Sequence, residues 1–324
     1  MSGKVDPNIR AKKVAAARLS VASNSVLTLA KLITGLLTGS VSILSEAVHS
    51  ANDLVAALIA FFSVRVADMP ADEEHPYGHG KIESLSGMVE AVLIFVAATY
   101  ILSEAVHKLS HRGELQRIDI GLGVMVFSMA VNAIISARLR SVARETESPA
   151  LMADAEHLRT DSLTSAGVVV GLGLVWATGK PIFDPLIAMG VALIIYRSAW
   201  SLLREAVGPL VDAHLPPEEI AQLEKILNGD QDVRGFHKLR TRRSGSHRHI
   251  DAHVLLDDEL TLLEAHAITE RLEDAIRLTL PNVEITLHTE PYKAELWHQH
   301  EEHGAPLPVL AQPGASEHEI REGE

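Results

Sequence analysis

The sequence predicts an α-helical membrane protein of six transmembrane helices followed by a small cytosolic α+β domain. Two observations carry this. Apolar runs long enough to cross a bilayer recur from Val14 to about Ala206, and from Asp212 onward the chain turns charged and mixed. A third is the change of hydrophobic period after Pro209. Although 47 % of the 324 residues are hydrophobic, it is their distribution rather than their number that decides the class.

A helix needs about 20 residues to cross the hydrocarbon layer. Six segments qualify: about 14–37, 41–66, 84–107, 118–137, 151–178 and 184–206. Thr38-Gly39-Ser40 makes a tight hairpin between the first two, and Gly179-Lys180-Pro181 makes the last. Residues 67–83, ADMPADEEHPYGHGKIE, read as a charged loop punctuated by Pro and Gly. Lys4, Arg10, Lys12, Lys13 and Arg18 precede or open span 1. Arg138, Arg140 and Arg144 follow span 4, and Arg197 and Arg204 close span 6. Six spans put all of these on one side, which the positive-inside rule assigns to the cytosol. The mildly basic outer loop with His111, Arg112 and Arg117 runs against the rule without reversing it. Both termini are then cytosolic, and the basic start MSGKVDPNIRAKK is a lead-in rather than a signal peptide.

Beyond Pro209, PPEEIAQLEKILN reads as an amphipathic helix and VRGFHKLRTRR and HRHIDAHVLL as strands around Ser244-Gly245. LTLLEAHAITERLEDAIRLTL reads as a second helix and NVEITLHTE as a third strand. Three strands backed by two helices is a ferredoxin-like, metallochaperone-type layer. The expected division is 1–12 as a cytosolic segment, 13–208 as the membrane domain, 209–292 as the α+β domain and 293–324 as a disordered tail holding His298, His300 and His303.

A net charge of −13, concentrated with clustered His around residues 253–303, argues against nucleic acid and suits divalent cations. The chain has no Cys, so any metal must be held by His, Asp and Glu. Span 2 carries Glu46, His49, Asn52 and Asp53 within an apolar run, where ionisable groups cost about 2.5–3.5 kcal/mol unless paired or functional. At about 100° per residue, Glu46, His49 and Asp53 share one stripe. Asp154, His157 and Asp161 in span 5 repeat the same offsets. Two facing H-x-x-x-D elements offer two nitrogens and two oxygens, a donor set for tetrahedral zinc. The plainer alternative is pairing between helices to hold the bundle, and Glu46 and Asp154 belong either to a vestibule or to such pairing. In the loop, Asp72, His75 and His79 form a second chelating set, against which stands an ordinary solvated loop.

SILSEAVHSANDL in span 2, DEEHPYGHGKIESL in the loop, AEHLRTDSLTS in span 5, and HKLRTRRSGSHRHIDAHV with ITLHTEP near the end resemble the cation diffusion facilitator family over about residues 12–292. The resemblance implies a homodimeric exporter in a prokaryotic plasma membrane that exchanges a divalent cation for protons. His49, Asp53, His157 and Asp161 would be its transport site, of the zinc type, with cobalt, cadmium or iron as alternative ions. It also implies an accessory metal at the loop set. A binuclear zinc site near the dimer interface would use His237, His253, His266, His288 and Glu290, with Glu290 standing where Asp is common. Lys81 and Asp212 match a charge pair between protomers. His247 and His249 read as surface residues. A membrane-bound hydrolase and an anchored sensor are the competing classes; the first lacks a further base, oxyanion donors or a substrate-pocket signal and would hold its ligands within spans, and the second has no use for two polar stripes there.

Overall fold

The computed structural model describes residues 7–38, 41–110, 121–180, 182–293 and 309–310. The chain divides after Val211 into two compact units, a few residues beyond the expected boundary because helix α6 runs on through Pro209 to Leu210 before Asp212 turns the chain at φ 54°.

The first unit holds six helices, each long and apolar enough to cross a membrane. They are α1 (Pro7–Thr38), α2 (Val41–Ala67), α3 (Lys81–Ser110), α4 (Gly121–Thr146), α5 (Pro149–Thr178) and α6 (Phe183–Leu210). All six expected spans are present, and α1 and α4 run furthest past their expected ends. α1 starts at Pro7, so the basic lead-in is itself helical, and α4 continues to Thr146 through the arginine-rich RLRSVARET. These additions are held by ion pairs, Lys12 with Glu145 and Arg140 with Glu156. α5 is stopped at both ends by local chemistry. Ser148 caps its N-terminus by accepting from the Leu151 amide ahead of Pro149, and Gly179 ends it at φ 67°, where a side chain would be strained.

α1 packs on α2 and α4, α4 on α5, and α3 chiefly on α6 and then on α5. The contacts are made by small residues: Ala56, Ala57 and Ala60 on α2, Ala91 and Ala98 on α3, Ala153 and Ala155 on α5, and Ala192 and Ala199 on α6 are buried. Small side chains let backbones approach closely, the packing solution for helices that cannot rely on a hydrophobic drive. At Gly167 of α5 an added Cβ would lie 2.7 Å from Val191 of α6. Conversely Val26, Leu36, Val96, Phe127, Ile134, Leu193 and Trp176 point outward, an inverted pattern that suits lipid rather than water.

The second unit is α7 (Pro217–Gly229), β1 (Gly235–Ser244), β2 (His247–Leu256), α8 (Leu262–Thr279), β3 (Val283–Pro291) and β4 (Val309–Leu310). The sheet order is β3-β2-β1-β4, one strand more than expected. β4 falls in the segment read as a disordered tail and pairs with Gly235 and Phe236 at the edge of β1. The rest of that tail, with His298, His300 and His303, lies outside the described residues, as do His111, Arg112 and Arg117. β1 and β2 form an antiparallel hairpin, and β2 and β3 run parallel because α8 carries the crossover between them. Leu227, Phe236, Val254, Leu256, Ile268 and Leu272 make one core between sheet and helices, and Leu215, Leu223, Ile250 and Ile276 a second. Thr261 and Glu264 close a capping box at the start of α8.

Candidate metal centres

The two polar stripes face each other. His157 Nε2 lies 3.4 Å from Asp53 Oδ1, and His49 Nε2 lies 3.8 Å from Asp161 Oδ1 across the α2–α5 contact. Along the helices His49 is 3.9 Å from Asp53 and His157 is 4.0 Å from Asp161. Nitrogen and oxygen therefore alternate around a ring. A zinc ion bonded at about 2.0–2.1 Å to four tetrahedral donors would separate neighbouring donors by about 3.3 Å; His49, Asp53 and Asp161 offer donor atoms within 4.8 Å of one another, and His157 joins them through its contact with Asp53. Asp53, His157 and Asp161 are largely buried, and the His49 side chain is half exposed. Lys31 of α1 donates to Ser50 Oγ at 2.8 Å and Thr28 donates to the Ser50 carbonyl, so α1 holds the turn of α2 that presents His49.

Other buried charges accompany this ring. Asp154 is buried one turn before His157, and Glu90 of α3 is wholly buried. Glu90 was missed by sequence reasoning, although an acid inside the run MVEAVLIF carries the same signal as the residues that were found. Glu46 lies on α2, and its side chain is outside the described ones.

The loop set also converges. Asp72 Oδ1 accepts from the backbone amides of His75 at 2.6 Å and Glu74 at 3.1 Å and lies 3.0 Å from His75 Nδ1. Its other oxygen is 3.3 Å from His79 Nε2, and the two imidazoles stand with centroids 4.4 Å apart. The His75 amide holds the Asp72 carboxyl below the ordinary range, ionised and ready to take a cation. These three residues offer donor atoms within 4.8 Å of one another.

In the second unit the strand register explains the cluster. His237 of β1 is opposite His253 of β2, which is opposite His288 of β3, so three imidazoles line up across three strands on the face away from α7 and α8. Glu290, two residues along, reaches back to them. Its Oε1 is 2.6 Å from His253 Nδ1 and 3.6 Å from His288 Nε2, and its Oε2 is 2.8 Å from His237 Nε2. His266 is the exception among the expected ligands. It stands exposed on α8, 3.6 Å from Glu270, and α8 packs on the opposite face of the sheet, so His266 is outside the cluster formed by the described residues. His249, read as a surface residue, is buried beside Glu284 at 3.3 Å. Asp212, expected in a pair with Lys81, has Arg242 of the same chain at 3.6 Å.

Six apolar helices with convergent His and acid donors define a class, multi-pass membrane proteins that transport metal cations. Within it the chain belongs to the cation efflux family, the cation diffusion facilitators. Residues 17–211 match the cation efflux transmembrane domain, and residues 215–292 match the cation efflux protein cytoplasmic domain. The chain is 36 % identical over 287 residues to the cation-efflux pump FieF of Yersinia pestis (strain Pestoides F), covering 89 % of this chain and 95 % of that protein. It is 38 % identical over 279 residues to an uncharacterized transporter, sll1263, of Synechocystis, covering 85 % and 89 %. Among solved structures, a metal-bound C-terminal domain of the CzcD transporter from Thermotoga maritima matches at 23 % identity and a TM-score of 0.22, covering 23 % of this chain and 87 % of that one.

Proposed function

We propose that this chain exports a divalent metal cation, zinc in the first place, from the cytosol in exchange for protons, working as a homodimer by alternating access. The observation that carries the reading is the alternating nitrogen and oxygen ring formed by His49, Asp53, His157 and Asp161. A dehydrated cation in a bilayer needs compensating ligands, and these four supply them. The same lone pairs bind protons. Neutral imidazole and ionised carboxylate take metal while their protonated forms release it, so proton arrival and metal departure are coupled at one place.

The basic residues around the helix ends support a cytosolic side for the N-terminus, the Asp72–His79 loop and the second unit, by the positive-inside rule. Asp72, His75 and His79 hold an accessory metal there. His237, His253, His288 and Glu290 form a sensing site whose occupancy draws two protomers together and biases the transport equilibrium. Lys81 and Asp212 serve as the charge pair between protomers, with Arg242 competing for the same carboxylate. Cobalt, cadmium and iron are the alternative ions, because donor type constrains the metal less than geometry does. In this role the chain acts as a transporter and not as an enzyme.

The test is flux in proteoliposomes, with zinc on one side and a pH-sensitive dye on the other. Asp53→Ala and Asp161→Ala should each abolish zinc-driven proton movement in folded protein. Wild-type flux in either variant rejects the assigned site.

A further inference from the structure

Beneath the loop set lies a group of charges that the transport reading does not use. Lys13 of α1 donates to Asp68 Oδ1 at 3.1 Å and to Glu83 Oε1 at 2.9 Å. All three side chains are almost wholly buried, with exposures of 1 %, 2 % and 1 %, beside the apolar cluster of Ala16, Ala17, Val64, Leu139 and Leu151. The other Glu83 oxygen accepts from Ser148, the cap of α5. In the sequence Lys13 is one more positive residue near a membrane end, yet here it is sealed between two acids 55 and 70 positions away from it.

The placement of those acids is the telling feature. Asp68 ends the stem that leaves α2, and Glu83 lies in the first turn of the stem that enters α3, so they bracket the segment carrying Asp72, His75 and His79. The Met69 amide donates to the Val66 carbonyl at 2.9 Å, closing the turn at the end of α2 that holds Asp68, and Asp72 follows four residues after Asp68. His79 opens the turn that leads to Glu83, its carbonyl accepting from the Ile82 amide at 3.0 Å, and it is itself buried. Asp72 and His79 then meet across the loop at 3.3 Å. One ammonium group at the base therefore sets the spacing of the two stems, and that spacing sets the gap between the first and last metal donors.

We infer that Lys13 is a positioning residue for the loop metal site, a staple that clamps both stems and keeps Asp72, His75 and His79 at chelating distance before any metal arrives. This rests on the reading of those three as metal ligands. A loop left free at its base would have to be ordered by the ion at the moment of binding, at the expense of affinity. Groups that orient metal ligands without touching the metal typically govern affinity by about 10–100-fold, and Lys13 belongs in that range.

The test uses the full chain in lipid nanodiscs with Asp161→Ala and His237→Ala as the parent, so that zinc binding at the loop is read by competition with a chelating dye. His79→Ala added to this parent should remove the remaining high-affinity zinc; if it does not, the loop-site reading fails and the staple with it. Given that loss, the double variant Lys13→Met/Asp68→Asn, which keeps the net buried charge of the group, should weaken zinc binding at the loop by about 10–100-fold. Lys13→Arg, which preserves the cation, should stay near the parent. In the chain with all other sites intact, zinc affinity at the His237 cluster should not move, which separates the effect from general loosening of the fold. Asp68→Asn alone, with Lys13 still paired to Glu83, should give a smaller loss and decides the matter should the double variant not fold. Unchanged loop affinity in either of these variants, alongside a His79→Ala variant that has lost it, overturns the proposal.

Discussion

If one ion is shared by α2 and α5, the ligands on the two helices must be energetically coupled, and a double-mutant cycle measures that coupling directly. The perturbations are Asp53→Ala on α2 and His157→Ala on α5, whose side chains lie 3.4 Å apart. Each removes one of four donors, and neither adds a new group. Residues in direct contact or sharing a ligand typically show interaction energies of about 0.5–3 kcal/mol, a factor of about 2 to 150 in affinity. This pair belongs toward the upper end, because once one donor is lost the ring no longer surrounds the ion and the second loss matters little. The double variant should thus bind zinc almost as well as the weaker single variant. The assay is zinc titration of nanodisc-held protein with the loop and His237 sites removed. Fully additive losses would mean that the two residues act at separate places and would refute a common ion.

Two further outcomes concern the second unit. Arg248 is buried and held by Glu219 through paired bonds of 2.8 and 3.0 Å, so Glu219→Ala leaves an uncompensated buried cation at a cost of about 3–5 kcal/mol. For a domain of this size each kcal/mol lowers the melting temperature by about 4–8 °C, and calorimetry should find that unit melting far earlier or not folded. Burial pushes the His249 imidazole below its ordinary value, with Glu284 only partly opposing. The neutral ring therefore contributes stability that is complete above the unfolded value of about 6.5 and is lost as the pH falls through the lowered folded value. Denaturant midpoints of the second unit should drop as the pH falls below about 6.5, and His249→Leu should flatten that part of the curve. A wild-type midpoint that is level over this range contradicts the burial argument.

What was legible in the sequence was what is local. The H-x-x-x-D elements stand out because both donors share one turn of one helix, and the apolar runs announce six spans whatever their neighbours are. The lengths of α1 and α4 were underestimated because charged residues end a hydrophobic run without ending a helix. Non-local geometry was hidden. The Lys13 staple joins residues 55 and 70 positions apart, and no pattern near Lys13 betrays its burial. Similarly, the alignment of His253 with His288 depends on β2 and β3 being parallel, which brings His249 against Glu284 in the same stroke. His266 was grouped with the other histidines by family likeness, whereas the packing of α8 turns it to the other side. Glu90 was legible and overlooked, standing in the apolar middle of its helix without a partner motif.

The way α5 is anchored has a mechanical meaning. Its capped start at Ser148 is tied to Glu83, and His157 stands nine residues further along one helix, with Pro149 at the first helical position, where it does not kink the helix, and no glycine or proline between it and His157. At 1.5 Å per residue that is about 13 Å of stiff rod. Any movement of the α3 entrance turn is therefore handed along its length to the imidazole with little to absorb it, so that the ring of donors opens or tightens according to what happens at the far end of the same shaft.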